Sequence, residues 1–432
     1  MSGADRATGA EEAALAALDP VALVADLRAF VQIRSPTGHE RPALAWLAER
    51  AREEGLEADL HQHDLQALRA HPGHPGEEAP RGELWGLAAA LPAGGAGLPE
   101  GDGNRPIPRL ALCGHVDVVG AGTVPWLHGD ASSGTEEDGW IYGRGTADMK
   151  AGVIAAFHAL VAVRRALGVA PGCTATLLAV AGEEDGGVGA FAALERDAAW
   201  DACVITEPTA FDLVCAQAGA LTFTGVVHGT AAHAAHRLEG ASAIDRYLPI
   251  HQALHALEAE LNADVEHPLM RELALPYPLL VGRVESGLWS SQVPDRLEFE
   301  GRAPVRVGED VAQARAAVRA AIDGALAPGD PPVELAFDGG QFASGQTSPD
   351  AAVARTVAAA VEAERGRPVR IAGVPWGADM RLFCERGIPT VMVGTSGIER
   401  AHGVDERVAV REVVTLTRAL VRTICRYGDR MR

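Results

Sequence analysis

Residues 110–119 read L-A-L-C-G-H-V-D-V-V, and residues 143–152 read G-R-G-T-A-D-M-K-A-G ahead of a largely apolar stretch to Leu167. Leu110–Cys113 is a short apolar run closed by a glycine, the pattern of a buried strand. Ala151–Leu167 carries its apolar residues at helical spacing. The pairing recurs along the chain. Ala175–Ala181, Ala202–Thr206, Val369–Gly373 and Thr390–Val393 read as further buried strands, with helices at Gly189–Arg196 and Asp350–Arg365 among them. Strand–helix alternation of this kind predicts an α/β architecture with a mostly parallel sheet.

Working outward, the block from about Gly219 to Phe337 has a different texture. It predicts strands at Leu221–His228, Leu279–Val284, Arg296–Gly301 and Val333–Phe337, with helices at Ala243–Asn262 and Val311–Leu326. The α/β pattern resumes afterwards, so the block reads as an inserted α+β domain. The expected division is 1–217 and 341–432 for the larger domain and 218–340 for the insertion. At the N-terminus, residues 11–34 predict one amphipathic helix and 41–55 a second. From His61 to Arg109 the chain is rich in Pro, Gly, His and charge, which predicts loops interrupted only by an apolar piece at Leu84–Leu91.

The 432 residues include 38 Lys/Arg against 58 Asp/Glu, a formal charge of −20. That acidity argues against nucleic acid and anionic membrane surfaces as partners. No stretch stands out as a membrane span, which needs about 20 predominantly apolar residues. The N-terminus lacks the basic start and apolar core of a secretory signal. Six cysteines with no C-x-x-C pair do not make a disulfide framework. The expectation is a reduced, cytoplasmic protein.

The chemistry-bearing residues collect at predicted strand ends. His115 and Asp117 follow Leu110–Cys113. Glu183, Glu184 and Asp185 follow Ala175–Ala181 in A-G-E-E-D. Glu207 follows Ala202–Thr206 in T-E-P-T, and His402 follows Val393 in A-H-G-V-D-E. Asp148 precedes a helix on the same expected edge. Open α/β sheets bind ligands at the carboxyl ends of their strands. One histidine after a strand is ordinarily a loop residue, and adjacent acids are ordinarily a solvated pair. Five such groups at five element ends are not ordinary. Clustered carboxylates and imidazoles call for a counter-ion, and a divalent metal such as zinc, cobalt or manganese accepts such donors. More donors than one tetrahedral ion needs suggests two ions sharing a carboxylate. H-E-x-x-H, G-x-S-x-G and a P-loop are absent.

In order and content, G-H-V-D-V-V, G-R-G-T-A-D-M-K-A-G, G-E-E-D, T-E-P-T and A-H-G-V-D-E resemble the M20 metallopeptidase family of deacylases, desuccinylases, aminoacylases and carboxypeptidases. The resemblance runs from about Leu27 to Val421, thinning across Asp64–Pro108 and inside the insertion. It implies a dinuclear site in which Asp148 bridges two ions, His115 and Glu207 complete one, and Glu184 and His402 the other. Glu183 takes the place of the general base and Asp117 that of the carboxylate orienting His115. The insertion matches the family's lid and dimerisation domain. H-G-T-A-A-H-A-A-H-R-L-E-G-A-S-A-I (228–244) places His233 where the family has an oxyanion-stabilising histidine supplied by the partner subunit.

The same resemblance puts Ser291 where an asparagine near the substrate is usual. Arg302 and Arg306 miss the usual arginine offset. Arg381, in G-A-D-M-R, falls in the pocket-lining segment, where it is expected to meet a substrate carboxylate or to form a structural ion pair. Trp289 and Trp376 flank these segments as candidate walls for an acyl group. The implied activity is two-metal hydrolysis of an amide in an N-acyl amino acid or small peptide by a homodimer. Dipeptidase, carboxypeptidase and deformylase chemistry fit the same scaffold. A non-catalytic relative would be expected to have lost a ligand or the base, and all six positions are filled.

Overall fold

The computed structural model describes residues 3–92 and 107–430. Its central sheet runs, edge to edge, Glu57–Gln62, Trp85–Ala90, Thr174–Val180, Arg109–His115, Ala202–Ile205, Thr390–Met392, Leu213–Gln217 and Gly345–Gln346, with Ile371–Val374 also paired to Leu213–Gln217. Arg109–His115 is parallel to both neighbours, and Thr390–Met392 is parallel to Ala202–Ile205. These strands therefore end on one edge, which puts the chemistry on that edge. Their alanines, valines and leucines are buried because helices cover the sheet. The helices Gly3–Ala16, Ala151–Leu167, Ala352–Arg365 and Val410–Arg430 pack against one another in a single layer.

By length and composition, Thr146–Leu167 does qualify as a membrane span, with a mean hydropathy of 1.4 over its most apolar window. That window is 94% buried inside the protein, so it is a core helix. It needs apolar residues all round because sheet and helices enclose it.

A second sheet, ordered Leu280–Ser286, Arg296–Val305, Gly219–His228 and Glu334–Ala336, forms the lid, and Gln341–Phe342 adds to Gly219–His228. The helices Ala243–Leu261 and Val311–Gly324 cover it around Phe223, Leu254, Phe299 and Val318. The chain leaves the central sheet at Gln217, enters the lid at Gly219, and returns between Phe342 and Gly345.

Several expectations need correction. The opening segment is two helices, because Asp19 caps Pro20–Gln32 by accepting the Val21 and Ala22 amides. The stretch expected to be loop from His61 onward begins with the last two residues of the strand Glu57–Gln62 and contains the short helix Leu65–Ala70. E-A-D-L-H-Q lacks an apolar run because it is an edge strand, held by its antiparallel ladder to Trp85–Ala90. Leu213–Gln217, wholly buried, and the long helix Val410–Arg430 were not anticipated. Much of the loop expected at 92–108 lies outside the described residues.

Candidate metal centre

Each functional side chain is placed by its backbone. The strand Arg109–His115 ends on His115, whose Nδ1 lies 3.0 Å from the Asp117 carbonyl oxygen. An N–H at Nδ1 donates to that carbonyl and turns the Nε2 lone pair toward the carboxylates. Asp117 is fully buried and accepts the backbone N–H of Glu183 at 3.3 Å and of Glu184 at 3.1 Å, so it holds the acidic turn in place. Asp148 is fixed from behind. Glu406 accepts the amides of Ala147 (2.9 Å) and Asp148 (3.1 Å) and takes a guanidinium hydrogen bond from Arg144 (2.7 Å).

The two oxygens of Asp148 face two different histidines. Oδ1 is 3.1 Å from His115 Nε2, and Oδ2 is 3.6 Å from His402 Nε2. His115 Nε2 is also 3.9 Å from Glu207 Oε1, and His402 Nε2 is 3.0 Å from Glu184 Oε2. The result is two donor groups sharing one carboxylate, His115–Asp148–Glu207 and His402–Asp148–Glu184. Glu183 adds an oxygen within 4.8 Å of donors on His115 and Glu207. Each Nε2 can meet these oxygens as an N–H donor or, with its lone pair bare, through a cation held between them. Imidazole and carboxylate donors in these numbers fit two divalent cations.

Residues 111–426 match the family Peptidase family M20/M25/M40. The chain belongs to this family. It is therefore a metal-dependent hydrolase. It is 28% identical over 432 residues to a succinyl-diaminopimelate desuccinylase of Methylorubrum extorquens, covering 94% of this chain and 98% of that one. Among solved structures, the di-peptidase Dug1p of Saccharomyces cerevisiae superposes with a TM-score of 0.73 at 14% identity, covering 97% and 98% of the two chains. The Bacillus subtilis YXEP protein, described as a dinuclear metal-binding peptidase of family M20, superposes at 0.62 with 16% identity, covering 94% and 97%.

The electrostatics of this M20 site follow from burial. Desolvation pushes Glu183 well above the usual carboxylate range, helped by the charges of Glu207, Asp379 and Glu184 and opposed by His115. Burial likewise raises Glu207, with Asp148 adding to it. Asp148 is driven down, because hydrogen bonds from His115 and His402 outweigh its burial. Those to Asp148 and Glu184 raise His402 to about 10.

The cleft beside the cluster has a volume of about 440 Å³. Asp148, Glu183, Glu184, Glu207 and His402 form its floor, Phe342 and Trp376 are on its apolar side, and Arg302 reaches in from the lid. Arg302 is the one guanidinium among its described lining residues.

Other expectations land elsewhere. His233 is exposed on the lid, and its backbone bridges Gln292, while the Ala234 amide donates to the Ser291 carbonyl at 2.9 Å. His233 and Ser291 thus share one exposed lid edge, and neither lines the cleft of its own chain. Arg381 requires a correction. Its side chain is fully buried, with the guanidinium over the Phe342 ring and donating to the carbonyls of Ala378 (3.0 Å) and Gly186 (2.5 Å). Two of its donors hold backbone carbonyls, so it supports the turn after Glu184. Trp289 is 72% exposed on the lid, away from the cleft.

Sequence reasoning missed three supports. Arg81, on the loop after Leu65–Ala70, is buried against Asp185, Glu40 and Glu77. Glu406 sits in A-H-G-V-D-E but was given no role. Asp379, buried beside Gly187, leaves Oδ1 without a hydrogen-bond partner among the described residues.

Proposed function

We propose that this chain hydrolyses the amide bond of an N-acyl amino acid or small peptide-like substrate. The supporting observation is the split of Asp148, one oxygen toward each histidine, beside Glu183 in an open cleft. Two divalent cations, with zinc the first candidate and cobalt or manganese the others, would polarise the carbonyl and acidify a water there. His115, Asp148 and Glu207 would hold one, and His402, Asp148 and Glu184 the other. Glu183 takes the proton of the attacking water and delivers it to the leaving nitrogen. Asp117 keeps His115 and the Glu183–Glu184 turn in register.

Arg302 supplies the recognition element. Its guanidinium lies 3.9 Å from Glu78 Oε1 and beside the Phe342 ring at the cleft wall, from where it can turn to a substrate carboxylate and bind it through two parallel hydrogen bonds. A homodimer built through the lid would carry His233 to the neighbouring cleft, where an imidazole donor could stabilise the tetrahedral oxyanion. The exposure of His233 and its distance from its own cleft lining favour that arrangement.

The test is direct. Purified protein supplied with Zn, Co or Mn is assayed against a panel of N-acyl amino acids and dipeptides, with metal content measured in parallel. Turnover of a carboxylate-bearing amide supports the reading. Silence across the panel with two metals bound per chain overturns it.

A further inference from the structure

The lid helix Ala243–Leu261 carries His251 and His255, one turn apart and on its outward side. Their Nε2 atoms lie 3.2 Å from each other, with ring centroids 4.6 Å apart and planes at 83°. Two imidazole nitrogens that close cannot both present bare lone pairs to each other. Either one N–H donates to the other's lone pair, or both lone pairs address a single cation. A cation holding two imidazole nitrogens at about 2.0–2.1 Å sets them roughly 3.4 Å apart in tetrahedral geometry and about 2.9 Å apart at right angles. The observed separation falls between the two.

The second ring nitrogens are suited to the same arrangement. His251 Nδ1 is 3.3 Å from the Tyr247 hydroxyl, and His255 Nδ1 faces Glu258 Oε2 at 3.9 Å. With the proton on each Nδ1, one N–H donates to the Tyr247 oxygen and the other points to a carboxylate. Both Nε2 lone pairs are then free for metal. A ligating histidine is commonly oriented by just such an outer partner. Residues at i and i+4 on a helix meet on one face, the spacing by which two histidines grip one ion. The His255 side chain is 61% exposed, so water has access to the remaining coordination positions.

We propose that His251 and His255 chelate one divalent transition-metal cation of the zinc, nickel or copper class, at a lid site separate from the His115–His402 cluster. This site would hold metal without taking part in amide hydrolysis.

Nickel(II) is the probe. Enzyme loaded with two zinc ions per chain, enough for the His115–His402 cluster alone, is brought to equilibrium dialysis with Ni(II). One additional equivalent per chain is expected. His251→Gln and His255→Ala should each weaken that uptake at least tenfold while retaining the zinc content and turnover of the parent. Saturating Ni(II) should raise Tm for the parent and not for either variant. With Cu(II) as the probe, electron paramagnetic resonance should show coupling to imidazole nitrogen that both variants lose. The proposal is overturned if zinc-loaded enzyme takes up no further equivalent, or if the variants retain it, which would place the ion elsewhere. Because uptake is read independently of activity, failure here leaves the hydrolase reading standing.

Discussion

Arg81 places a guanidinium nitrogen 2.7 Å from Asp185 Oδ1 with its entire side chain shielded from solvent. Asp185 follows directly on the two catalytic-edge glutamates, and its other oxygen accepts the Ala79 amide at 3.0 Å. The loop and the acidic turn are thus tied by charge and by backbone. Removing one member of a buried ion pair costs about 3–5 kcal/mol. Arg81→Met is expected to lose stability of that order and to lower metal content and kcat more than it changes KM. Arg81→Lys, keeping charge without the planar fork, should fall between the two. Denaturant melts with metal analysis check this. A folded Arg81→Met with parental kcat and metal content would show that the pair does not position the turn.

Glu183 and Glu184 are adjacent but carry different proposed duties. Glu183→Gln should keep metal and fold while losing several orders of magnitude in turnover, since an amide cannot accept the proton. Glu184→Gln removes a charged oxygen 3.0 Å from His402 and should weaken metal binding. Metal content measured on both separates them. Equal loss would mean that the two roles are misassigned.

Chelation should abolish activity and leave a folded protein of lower Tm. A metal that binds only the native state at a hundredfold excess over its Kd stabilises by about 2.7 kcal/mol. Without it the acids around Asp148 repel. Calorimetry before and after exhaustive chelation, with activity restored by added metal, checks this. Full activity in verified metal-free protein would exclude the two-metal reading.

Arg302→Ala should raise KM at least tenfold for substrates bearing a free carboxylate, with a smaller effect on amides whose carboxylate is esterified. Steady-state kinetics on matched acid and ester pairs reads the difference. An equal effect on both members of a pair would remove the carboxylate contact.

Mixing subunits tests His233. Glu183→Gln and His233→Ala chains are each expected to be nearly inactive. If His233 acts across a two-fold dimer, random mixing makes about half the dimers mixed and restores about a quarter of all sites. If it acts within its own chain, no site recovers. Proven subunit exchange without recovery would assign His233 to its own chain or to no catalytic role.

The central strands were legible because burial on both faces writes a continuous apolar run into Leu110–Cys113 and Ala175–Ala181. His115 and Glu184 were legible because they follow those runs, and Glu207, His402 and Asp148 because they sit at other element ends on the same expected edge. What sequence hid was carried by long-range geometry. Glu57–Gln62 is an edge strand that turns only Ala58 and Leu60 toward the core, so it carries no continuous apolar run. Arg81 lies about a hundred positions from Asp185, and no local pattern joins them. Arg381 could be read from its position as either a recognition or a structural arginine, and only the fold reveals that it is buried and donates to the Gly186 and Ala378 carbonyls. Glu406 lay inside a motif already singled out. Its use as the acceptor of the Asp148 amide depends on a turn that closes through the tertiary fold.

Near the acidic turn, three stretches of backbone lie in direct layers. A side-chain carbon at Gly76 would fall 1.9 Å from the Gly339 carbonyl oxygen, and one at Gly186 would fall 2.4 Å from that of Gly76. The lid's return strand, the loop carrying Arg81 and the turn after Glu184 are therefore stacked without side chains between them. Gln341 donates to the Pro75 carbonyl at 3.1 Å, and Glu78 accepts from Thr222 at 2.9 Å and from the Gly340 amide at 3.0 Å. For protein engineering, this makes the 71–84 loop a poor graft site. Its length and register are set at both ends by main chain, so a transplanted loop must reproduce the glycine at each layer.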